Sequence, residues 1–281
     1  MTGSFKARGA FNKVLILEDW EREAGLLAAS AGNHGQGVAI AGKTFNIPVK
    51  IFASAEAVPA KIEAMRVLGA ELILIPGGYG DAEKAALNYA TQTDATWISP
   101  YNDGHIIAGQ GTIALEIIRQ IAAYPDFEMR SATWLVPSSG GGLLSGIGAV
   151  LSTLPERPKL IGVQAENSPF THAIFHTGSQ DSITDSATLA DGLSGPVEPN
   201  AITIPLIRSY ANDFMLVNED EIREAIIFAW DRYGECIEGS AATALAIALF
   251  RDISKPAVVI LSGGNIDPDT HKQIIKQGSK K

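Results

Sequence analysis

The chain has 281 residues, of which 46% are hydrophobic and 19% are charged, and its formal net charge is −9 at pH 7. This length and composition indicate an ordinary globular protein with room for one large domain or two modest ones. The acidic balance excludes nucleic acid and anionic membrane surfaces as expected partners, because a phosphate-rich surface attracts basic clusters.

In chain order, short apolar runs rich in β-branched residues alternate with helical patterns. This alternation predicts an α/β fold in which helices flank open, mostly parallel twisted sheets. The predicted strands are residues 25–30, 49–53, 71–75, 96–99, 133–136, 160–164, 214–217 and 257–261. Residues 177–200 form a long irregular stretch, and a loop of that length is more often functional than decorative.

Several helix ends can be predicted from single residues. Pro59 suits the first turn of a helix that Gly69 ends. Asn218, with Glu221 three residues later, predicts a reciprocal N-terminal cap. The residues after this cap repeat at helical spacing and predict one buried face. That face would consist of Ile222, Ala225, Ile226, Ala229 and Trp230.

The first motif with chemical meaning is residues 2–9, which read Thr-Gly-Ser-Phe-Lys-Ala-Arg-Gly. A lysine forms a Schiff base with an aldehyde only when its amine is neutral, and burial or a nearby cation favours the neutral form. Phe5 and Ala7 are apolar neighbours of Lys6, and Arg8 adds a positive charge. Lys6 is therefore a candidate nucleophile, whereas a lysine outside such a motif would be a solvated surface side chain.

The second motif is residues 30–35, which read Ser-Ala-Gly-Asn-His-Gly and join the first predicted strand to a helix. Backbone N–H groups at a helix start suit a carboxylate. On its residues alone, however, the motif is more simply explained by N-capping of that helix by Ser30 or Asn33.

The third motif follows an apolar strand and opens the next predicted helix. It consists of Ser139, Gly140, Gly141, Gly142 and Leu143. Glycines at this place let backbone N–H groups converge on a phosphate at the positive end of a helix. A dinucleotide-binding fold uses the same device with an acidic residue after the following strand, a place that Glu166 could fill. The G-x-G-x-x-G spacing fails because its last place is Ser145, and a glycine-rich turn without a ligand also stays open.

The fourth motif begins at Ser262, directly after the last predicted strand, whose sequence indicates a buried strand. A serine hydroxyl at this place can form a hydrogen bond with a ligand bound at the end of the strand. The alternative is that Ser262 caps the final helix.

Together and in this order, the four motifs resemble those of the threonine/serine dehydratase family of pyridoxal-phosphate enzymes, which have the tryptophan synthase β-like fold type II. Residues 107–112, 189–192 and 238–240 are also similar to that family, although Gly239 stands where proline is usual. The resemblance implies a larger cofactor-binding domain of residues 1–27 and 103–281, with a smaller substrate-side domain of residues 28–102 inserted in it. It also implies several dozen residues before the lysine motif, so we expect the chain to lack the usual N-terminal segment.

The resemblance assigns a role to each motif. Lys6 would bind pyridoxal 5'-phosphate covalently and act as the catalytic base. The implied cofactor-binding residues are Phe5, Lys6, Asn33, Ser139, Gly140, Gly141, Gly142, Leu143 and Ser262. The implied substrate-binding residues are Ser30, Ala31, Gly32, Asn33 and His34. Glu238 and Gly263 would support these residues without contacting the cofactor.

The implied reaction is β-elimination from threonine or serine, which gives a 2-oxo acid and ammonia. Threonine synthase, hydroxyaspartate dehydratase and serine racemase activities stay open. His34 after the asparagine is similar to dehydratases and racemases, but Ala31 stands where racemases place a proton-donating serine. Residues 163–166 are more similar to threonine synthases. A more remote alternative is a nicotinamide-dependent oxidoreductase or a non-catalytic binder of a phosphate ligand.

We predict no metal site. His172 and His176 are four residues apart, but the glutamate of H-E-x-x-H and a third ligand are missing from the sequence pattern. Some family members bind a divalent cation through a glutamate, and the corresponding place here looks like Gln164. We expect a homo-oligomer, a dimer or tetramer, that acts on a small hydroxy amino acid. The single cysteine, Cys236, and the lack of a secretory signal pattern favour the cytoplasm.

Overall fold

The structure is a computed structural model that describes residues 2–278. These residues fall into two compact units, which are divided between Gly109 and Gln110. Each unit is built on one four-stranded sheet, and every strand pair in both sheets is parallel. The predicted α/β fold with parallel sheets is thereby confirmed. The predicted domain boundaries, which assign residues 1–27 to the larger domain, stay a prediction.

The first unit has a sheet flanked by helices. Its strands are β1 (Leu26–Ala29), β2 (Val49–Ser54), β3 (Glu71–Ile75) and β4 (Thr96–Trp97), in the sheet order β3–β2–β1–β4. Its helices are α1 (Lys6–Leu15), α2 (Asp19–Ala24), α3 (Asn33–Phe45), α4 (Pro59–Val67) and α5 (Tyr79–Gln92), and α6 (Gly104–Ile121) begins in it. All residues of β1 are buried, as expected for an inner strand of a parallel sheet with both faces covered.

The second unit repeats this plan with a different set of strands. They are β5 (Thr133–Pro137), β6 (Lys159–Ala165), β7 (Asp213–Val217) and β8 (Ala257–Val259), in the sheet order β7–β6–β5–β8. Its helices are α7 (Gly142–Leu151), α8 (Phe170–Thr177), α9 (Thr203–Tyr210), α10 (Glu219–Tyr233), α11 (Gly239–Phe250) and α12 (Pro268–Gly278). β5 is wholly buried, like β1 in the first unit.

In each unit the motif loops follow the carboxyl ends of strands. In the first unit, the turn at residues 30–35 follows β1, and residues 98–102 follow β4. In the second unit, the glycine loop follows β5, and Ser262 follows β8. Because the carboxyl ends of parallel strands lie along one edge of a sheet, this edge is where open α/β folds bind ligands.

All eight predicted strands are present, and their ends lie within two residues of the predicted ones. The prediction that the last strand is buried is wrong. The three residues of β8 are partly exposed, and the side chain of Leu261 beyond it is 45% exposed. The reason is topological, because β8 is the edge strand of its sheet and pairs with β5 alone.

The predicted cap of α10 is confirmed. The side chain of Asn218 accepts hydrogen bonds from Asp220 and Glu221, and the Glu221 carboxylate accepts from the N–H of Asn218 over 3.0 Å. The predicted buried face is correct except for Trp230, which is 42% exposed. At about 100° per residue, Trp230 lies about 80° around the helix from Ile222 and so falls at the margin of the buried face.

The long irregular stretch is confirmed as a loop with one short 3-10 turn at Asp191–Leu193. Its ends are joined by the side chain of Gln180, which donates to the carbonyl of Val197 over 2.7 Å and accepts from the N–H of Val197 over 2.9 Å.

Between residues 2 and 278, no helix is long and apolar enough to cross a membrane.

Candidate active site

Lys6 is the first residue of α1, and its side chain is partly buried. Its Nζ donates a hydrogen bond of 2.8 Å to the carbonyl oxygen of Pro100 and lies 5.2 Å from the centroid of the Phe5 ring. The face of an aromatic ring attracts an ammonium group. The amine is therefore held next to the residues that follow β4, with Phe5 packed beside it.

Two glycines bring neighbouring helices close to the backbone around Lys6. A Cβ on Gly37 of α3 would lie 3.1 Å from the carbonyl carbon and oxygen of Lys6. A Cβ on Gly109 of α6 would lie 2.7 Å from the carbonyl oxygen of Arg8. Since these neighbours are backbone atoms that cannot rotate away, a larger residue at either place would displace the start of α1.

The residues that follow β4 are fixed by hydrogen bonds to β1 and α3 and by one bond within the segment. The N–H of Ile98 donates to the carbonyl of Leu27 in β1 over 2.8 Å. The buried Oγ of Ser99 accepts from the N–H of Asn102 over 2.9 Å. The carbonyl oxygen of Ile98 lies 2.8 Å from Nε2 of His34 in α3.

His34 is buried, with 5% of its surface exposed. Because a carbonyl oxygen can only accept a hydrogen bond, Nε2 of His34 must carry the proton that it donates to Ile98. Burial, followed by the positive charge of Lys6, lowers the pKa of His34 to about 3, although the bond to Ile98 acts in the opposite direction. His34 is therefore a neutral hydrogen-bond donor at neutral pH.

The turn at residues 30–35 forms the start of α3. Gly32 occupies the N-cap position of α3, and among the described residues no side-chain hydrogen bond is made at this cap. The explanation of the motif as an N-cap is wrong, because Ser30 lies two residues too early and Asn33 is already helical. Ser30 Oγ instead accepts from the N–H of Gly32 over 3.0 Å. No described atom lies within 4 Å of a Cβ placed on Gly32, so the turn has open space beside it.

The glycine loop in the second unit joins β5 to α7, as predicted. Gly141 is the N-cap residue of α7 and has a positive φ of 84°, a conformation that favours glycine. A Cβ on Gly141 would lie 3.0 Å from Cγ2 of Ile207 and 3.2 Å from Cβ of Thr203, both in α9. The carbonyl of Ser139 accepts a hydrogen bond from the hydroxyl of Thr171 in α8. Two helices therefore support the shape of this loop.

Buried hydroxyl groups test whether this loop suits the phosphate of a cofactor. The hydroxyls of Ser138, Ser145 and Thr203 are buried and have no hydrogen-bond partner among the described residues. A buried polar group without a partner costs about 1–3 kcal/mol. A phosphate has the acceptor oxygens that such donors need, and α7 presents its positive end to the same loop. The loop therefore fits a phosphate group.

Ser262 lies three residues after β8 and is 5% exposed. The suggestion that it caps the last helix is wrong, because α12 begins at Pro268 and its first turn is capped by Asp267. The Asp267 carboxylate accepts from the N–H of Thr270 over 2.8 Å. The two residues expected to support the site are in contact next to Ser262, since the N–H of Glu238 donates to the carbonyl of Gly263 over 3.1 Å.

Gly239, which replaces the proline usual in the family, has a packing reason in this structure. A Cβ at this position would overlap the carbonyl oxygen of Leu189. A Cβ on Gly192 would lie 2.8 Å from Oγ of Ser240. The family-like stretches 189–192 and 238–240 therefore pack directly against each other.

The residues considered for metal binding have other partners. The side chain of Gln164 is buried; its Oε1 accepts from the N–H of His172 over 2.7 Å, and its Nε2 donates to the carbonyl of Ser168 over 3.3 Å. The rings of His172 and His176 lie with their centroids 4.4 Å apart. Within the part of the chain that the structure describes, no group of three or more His, Cys, Asp or Glu side chains could hold a metal ion.

Each unit thus brings together part of the predicted site. The first unit contains Phe5 and Lys6 and, through residues 98–100, connects Lys6 to the turn at residues 30–35. The second unit contains the glycine loop in one place and Ser262, Glu238 and Gly263 in another.

Sequence reasoning missed three residues around these motifs. Pro100 takes part through its backbone carbonyl oxygen, and because every residue has one, the residue type does not indicate a role in the site. The one indication in the sequence was its place directly after a predicted strand. Thr171 and Thr203 lie more than 25 residues beyond the glycine loop, and no local pattern links them to it.

Parallel α/β units with a lysine at a helix start and a loop that fits a phosphate are the features expected of an enzyme with a phosphorylated cofactor. The chain belongs to the family described as "Pyridoxal-phosphate dependent enzyme", whose model matches residues 1–263. Pyridoxal phosphate is therefore its cofactor. This match favours the pyridoxal-phosphate interpretation of the glycine loop over the nicotinamide one.

Relatives of this chain are found in bacteria and plants. It is 40% identical over 279 residues to an L-threonine ammonia-lyase of Thermotoga maritima. The matched stretch covers 99% of this chain and 68% of that protein. Its structure is similar to the processed form of threonine deaminase isoform 2 from Solanum lycopersicum, with a TM-score of 0.87, 30% identity and coverage of 98% and 79%. It is also similar to maize serine racemase, with a TM-score of 0.87, 29% identity and coverage of 99% and 84%.

Proposed function

We propose that the protein is an ammonia-lyase that converts L-threonine or L-serine to a 2-oxo acid and ammonia by β-elimination. The observation that carries this proposal is the 40% identity to an L-threonine ammonia-lyase along 99% of the chain. That stretch includes the lysine motif, the turn at residues 30–35 and the glycine loop.

The bound cofactor would supply an electron sink that makes the Cα–H bond of the substrate acidic. Lys6 would bind the cofactor covalently and, once the substrate amine has released it, would accept the Cα proton at Nζ. The carbonyl of Pro100 and the ring of Phe5 restrict the positions that this amine can take. A restricted amine reacts faster because less orientational freedom is lost in the reaction.

The remaining residues would bind the cofactor and orient the substrate. The glycine loop and the buried hydroxyls of Ser138 and Ser145 suit the phosphate. Asn33 would bind the phenolic oxygen of the cofactor, and Ser262 would face the ring nitrogen. The substrate carboxylate would lie at the start of α3, where the N-cap residue is Gly32 and the helix dipole favours an anion.

Ala31 argues against racemisation as the main activity. Racemisation needs a second group that delivers a proton to the opposite face of Cα, and an alanine methyl group cannot do so. Lys6 alone would serve one face. For the same reason the proposed activity excludes efficient formation of D-serine from L-serine.

We also propose that the enzyme is cytoplasmic and forms a homo-oligomer. The single cysteine supports a reducing compartment, and the family resemblance supports the oligomer.

The proposal is tested by product analysis of the holoenzyme with L-threonine and with L-serine. We expect ammonia and the matching 2-oxo acid in equal amounts, and no product from Lys6→Ala. Lys43→Ala is the matched control, because Lys43 is an exposed lysine of α3. The alternatives have different products. Phosphate released from a phosphorylated hydroxy amino acid would indicate a threonine synthase, and D-serine without ammonia would indicate a racemase; either result contradicts the proposal.

A further inference from the structure

We propose that His34 is a positioning residue for the catalytic lysine: its imidazole holds the backbone segment after β4, and that segment holds the amine of Lys6. The inference rests on the proposed role of Lys6. It gives the His34 side chain a task that differs from the substrate binding implied by the family resemblance.

Two side-chain hydrogen bonds end on nearly the same piece of backbone. Nε2 of His34 donates to the carbonyl of Ile98 over 2.8 Å, and Nζ of Lys6 donates to the carbonyl of Pro100 over 2.8 Å. Ser99 alone separates the two acceptors. Only the φ and ψ torsions of Ser99 and Pro100 separate the two carbonyls, and the ring of Pro100 fixes one of them, so we expect a shift of the Ile98 carbonyl to move the Pro100 carbonyl as well. The position of the lysine amine therefore depends on the bond made by His34.

This segment is fixed on both sides of the Ile98 carbonyl. On one side, the N–H of Ile98 is bonded to β1. On the other side, the buried Oγ of Ser99 accepts from the N–H groups of Tyr101 and Asn102, over 3.4 Å and 2.9 Å. β4 ends at Trp97, so Ile98 lies just beyond the strand. The His34 imidazole donates the hydrogen bond that the Ile98 carbonyl accepts there. His34 thus connects the segment to α3, the helix that starts at the turn of residues 30–35.

The residue at this place must donate a hydrogen bond without adding a positive charge. Lys6 is close enough for its charge to oppose protonation of His34. A protonated imidazole would in turn repel the ammonium form of Lys6 and favour displacement of the amine from Pro100. A neutral imidazole with its proton on Nε2 satisfies both requirements. Glutamine keeps a neutral donor, whereas leucine keeps much of the volume and removes the donor.

The test measures how fast Lys6 captures its cofactor, which is a property separate from turnover. Cofactor-free protein is mixed with pyridoxal phosphate, the bound cofactor is fixed with borohydride at set times, and the fraction attached to Lys6 is measured by peptide mass spectrometry. We expect His34→Leu to slow attachment about 10-fold, since misplacing a reacting group by a fraction of an ångström costs rate. We expect His34→Gln to react within about 3-fold of the wild type, because the donor is retained.

His176→Gln is the matched control. His176 also lies with Nε2 near a backbone carbonyl, that of Phe214 at 3.2 Å, but it belongs to α8 of the second unit. We expect it to react at the wild-type rate. Attachment in His34→Leu at the wild-type rate, or equal slowing of the glutamine and leucine variants, would overturn the inference. If the wild type attaches no cofactor at Lys6, the proposed function fails instead.

A second measurement covers the case in which His34→Leu does not fold. In the wild-type protein without cofactor, nitrogen-15 NMR reports which imidazole nitrogen carries the proton. The inference requires a neutral His34 ring with the proton on Nε2 at neutral pH. A proton on Nδ1 alone, or a doubly protonated ring, would overturn it.

Discussion

His34 gives the protein a pH dependence of stability that a single substitution can isolate. Burial and the charge of Lys6 lower its pKa to about 3 in the folded state, against 6.5 for an ordinary histidine. Between these values the unfolded chain binds a proton that the folded chain excludes, so the free energy of unfolding falls as the pH falls. The contribution of this group is complete above pH 6.5 and is lost progressively toward pH 3.

We therefore predict that the wild type loses up to about 1.4 kcal/mol of stability per pH unit more than His34→Gln does, over the range from about pH 6 to pH 4. The measurement is urea unfolding of both cofactor-free proteins across this range. Other titrating groups contribute to both proteins and cancel in the difference. Parallel curves for the two proteins would show that His34 is not buried as a neutral group.

Gly37 is the second residue whose substitution has a defined consequence. An alanine in a helix interior normally adds about 0.5–1 kcal/mol of stability over glycine. At Gly37 the new Cβ would press on the backbone of Lys6 from 3.1 Å. We predict that Gly37→Ala gains little or no stability and slows the attachment of pyridoxal phosphate to Lys6 several-fold.

The control for this prediction is Gly80→Ala in α5. No described atom lies within 4 Å of a Cβ at Gly80, so the substitution gains the ordinary propensity of alanine. Unfolding free energies and attachment rates are compared for the two variants. Equal stabilisation with an unchanged attachment rate in both would mean that Gly37 does not fix the position of Lys6.

The same residues show what a sequence can predict at this scale. Lys6 and Asn33 belong to motifs whose residue types carry chemical meaning, so the sequence singled them out. The bonds from Lys6 and His34 end on the backbone carbonyls of Pro100 and Ile98, and a backbone carbonyl has no signature in residue type. Close packing at Gly37 depends on how α3 lies against α1, and one sequence does not contain that distance.

At the scale of elements, the cap of α10 contributes to stability in a measurable way. Asn218 accepts from the N–H groups of Asp220 and Glu221, over 3.1 Å and 3.0 Å. Replacing an N-cap asparagine by alanine costs about 1 kcal/mol. We predict this loss for Asn218→Ala in urea unfolding, with no change in cofactor attachment. A loss below about 0.3 kcal/mol would contradict the role of the cap.

The glycine loop provides a second prediction about an element. Gly141→Ala places a side chain in a left-handed conformation, which costs about 1–2 kcal/mol. It also brings a Cβ to 3.0 Å from Ile207 of α9. We predict lower stability by at least this amount and weaker binding of pyridoxal phosphate, measured by equilibrium titration.

The control is Gly195→Ala, which separates the cost of backbone strain from the effect of a side chain on the glycine loop. Gly195 also has a positive φ, of 96°, but a Cβ there meets no described atom within 4 Å. This control should lose stability from strain alone and bind the cofactor as the wild type does. If both variants bind the cofactor equally well, the loop does not hold the phosphate.

Periodicity and capping residues located the elements, while burial at their ends depended on tertiary position. The strand at residues 257–259 contains the residue types of a buried strand, but its place at the edge of the sheet leaves it partly exposed. Trp230 continues the spacing of its helix, and the rotation of the helix takes it to the margin of the buried face. The spacing of apolar residues in the sequence predicts the type of each element. It does not predict which other elements pack against it.

At the scale of the whole molecule, each unit has a parallel sheet with its motif loops at the carboxyl ends of the strands. The alternation of strands and helices predicted this class of fold because parallel strands need crossover helices. The order of strands in each sheet was not predictable from that alternation. The two sheets have their earliest strands, β1 and β5, in the interior.

Lys6 is our proposed covalent anchor of pyridoxal phosphate. The most direct measurement is the absorbance spectrum of the purified protein with pyridoxal phosphate, compared with that of Lys6→Ala, before and after addition of L-threonine. We predict a yellow band that depends on Lys6 and that changes as 2-oxobutanoate accumulates. A folded wild-type protein without such a band, or the same band in Lys6→Ala, would contradict the account.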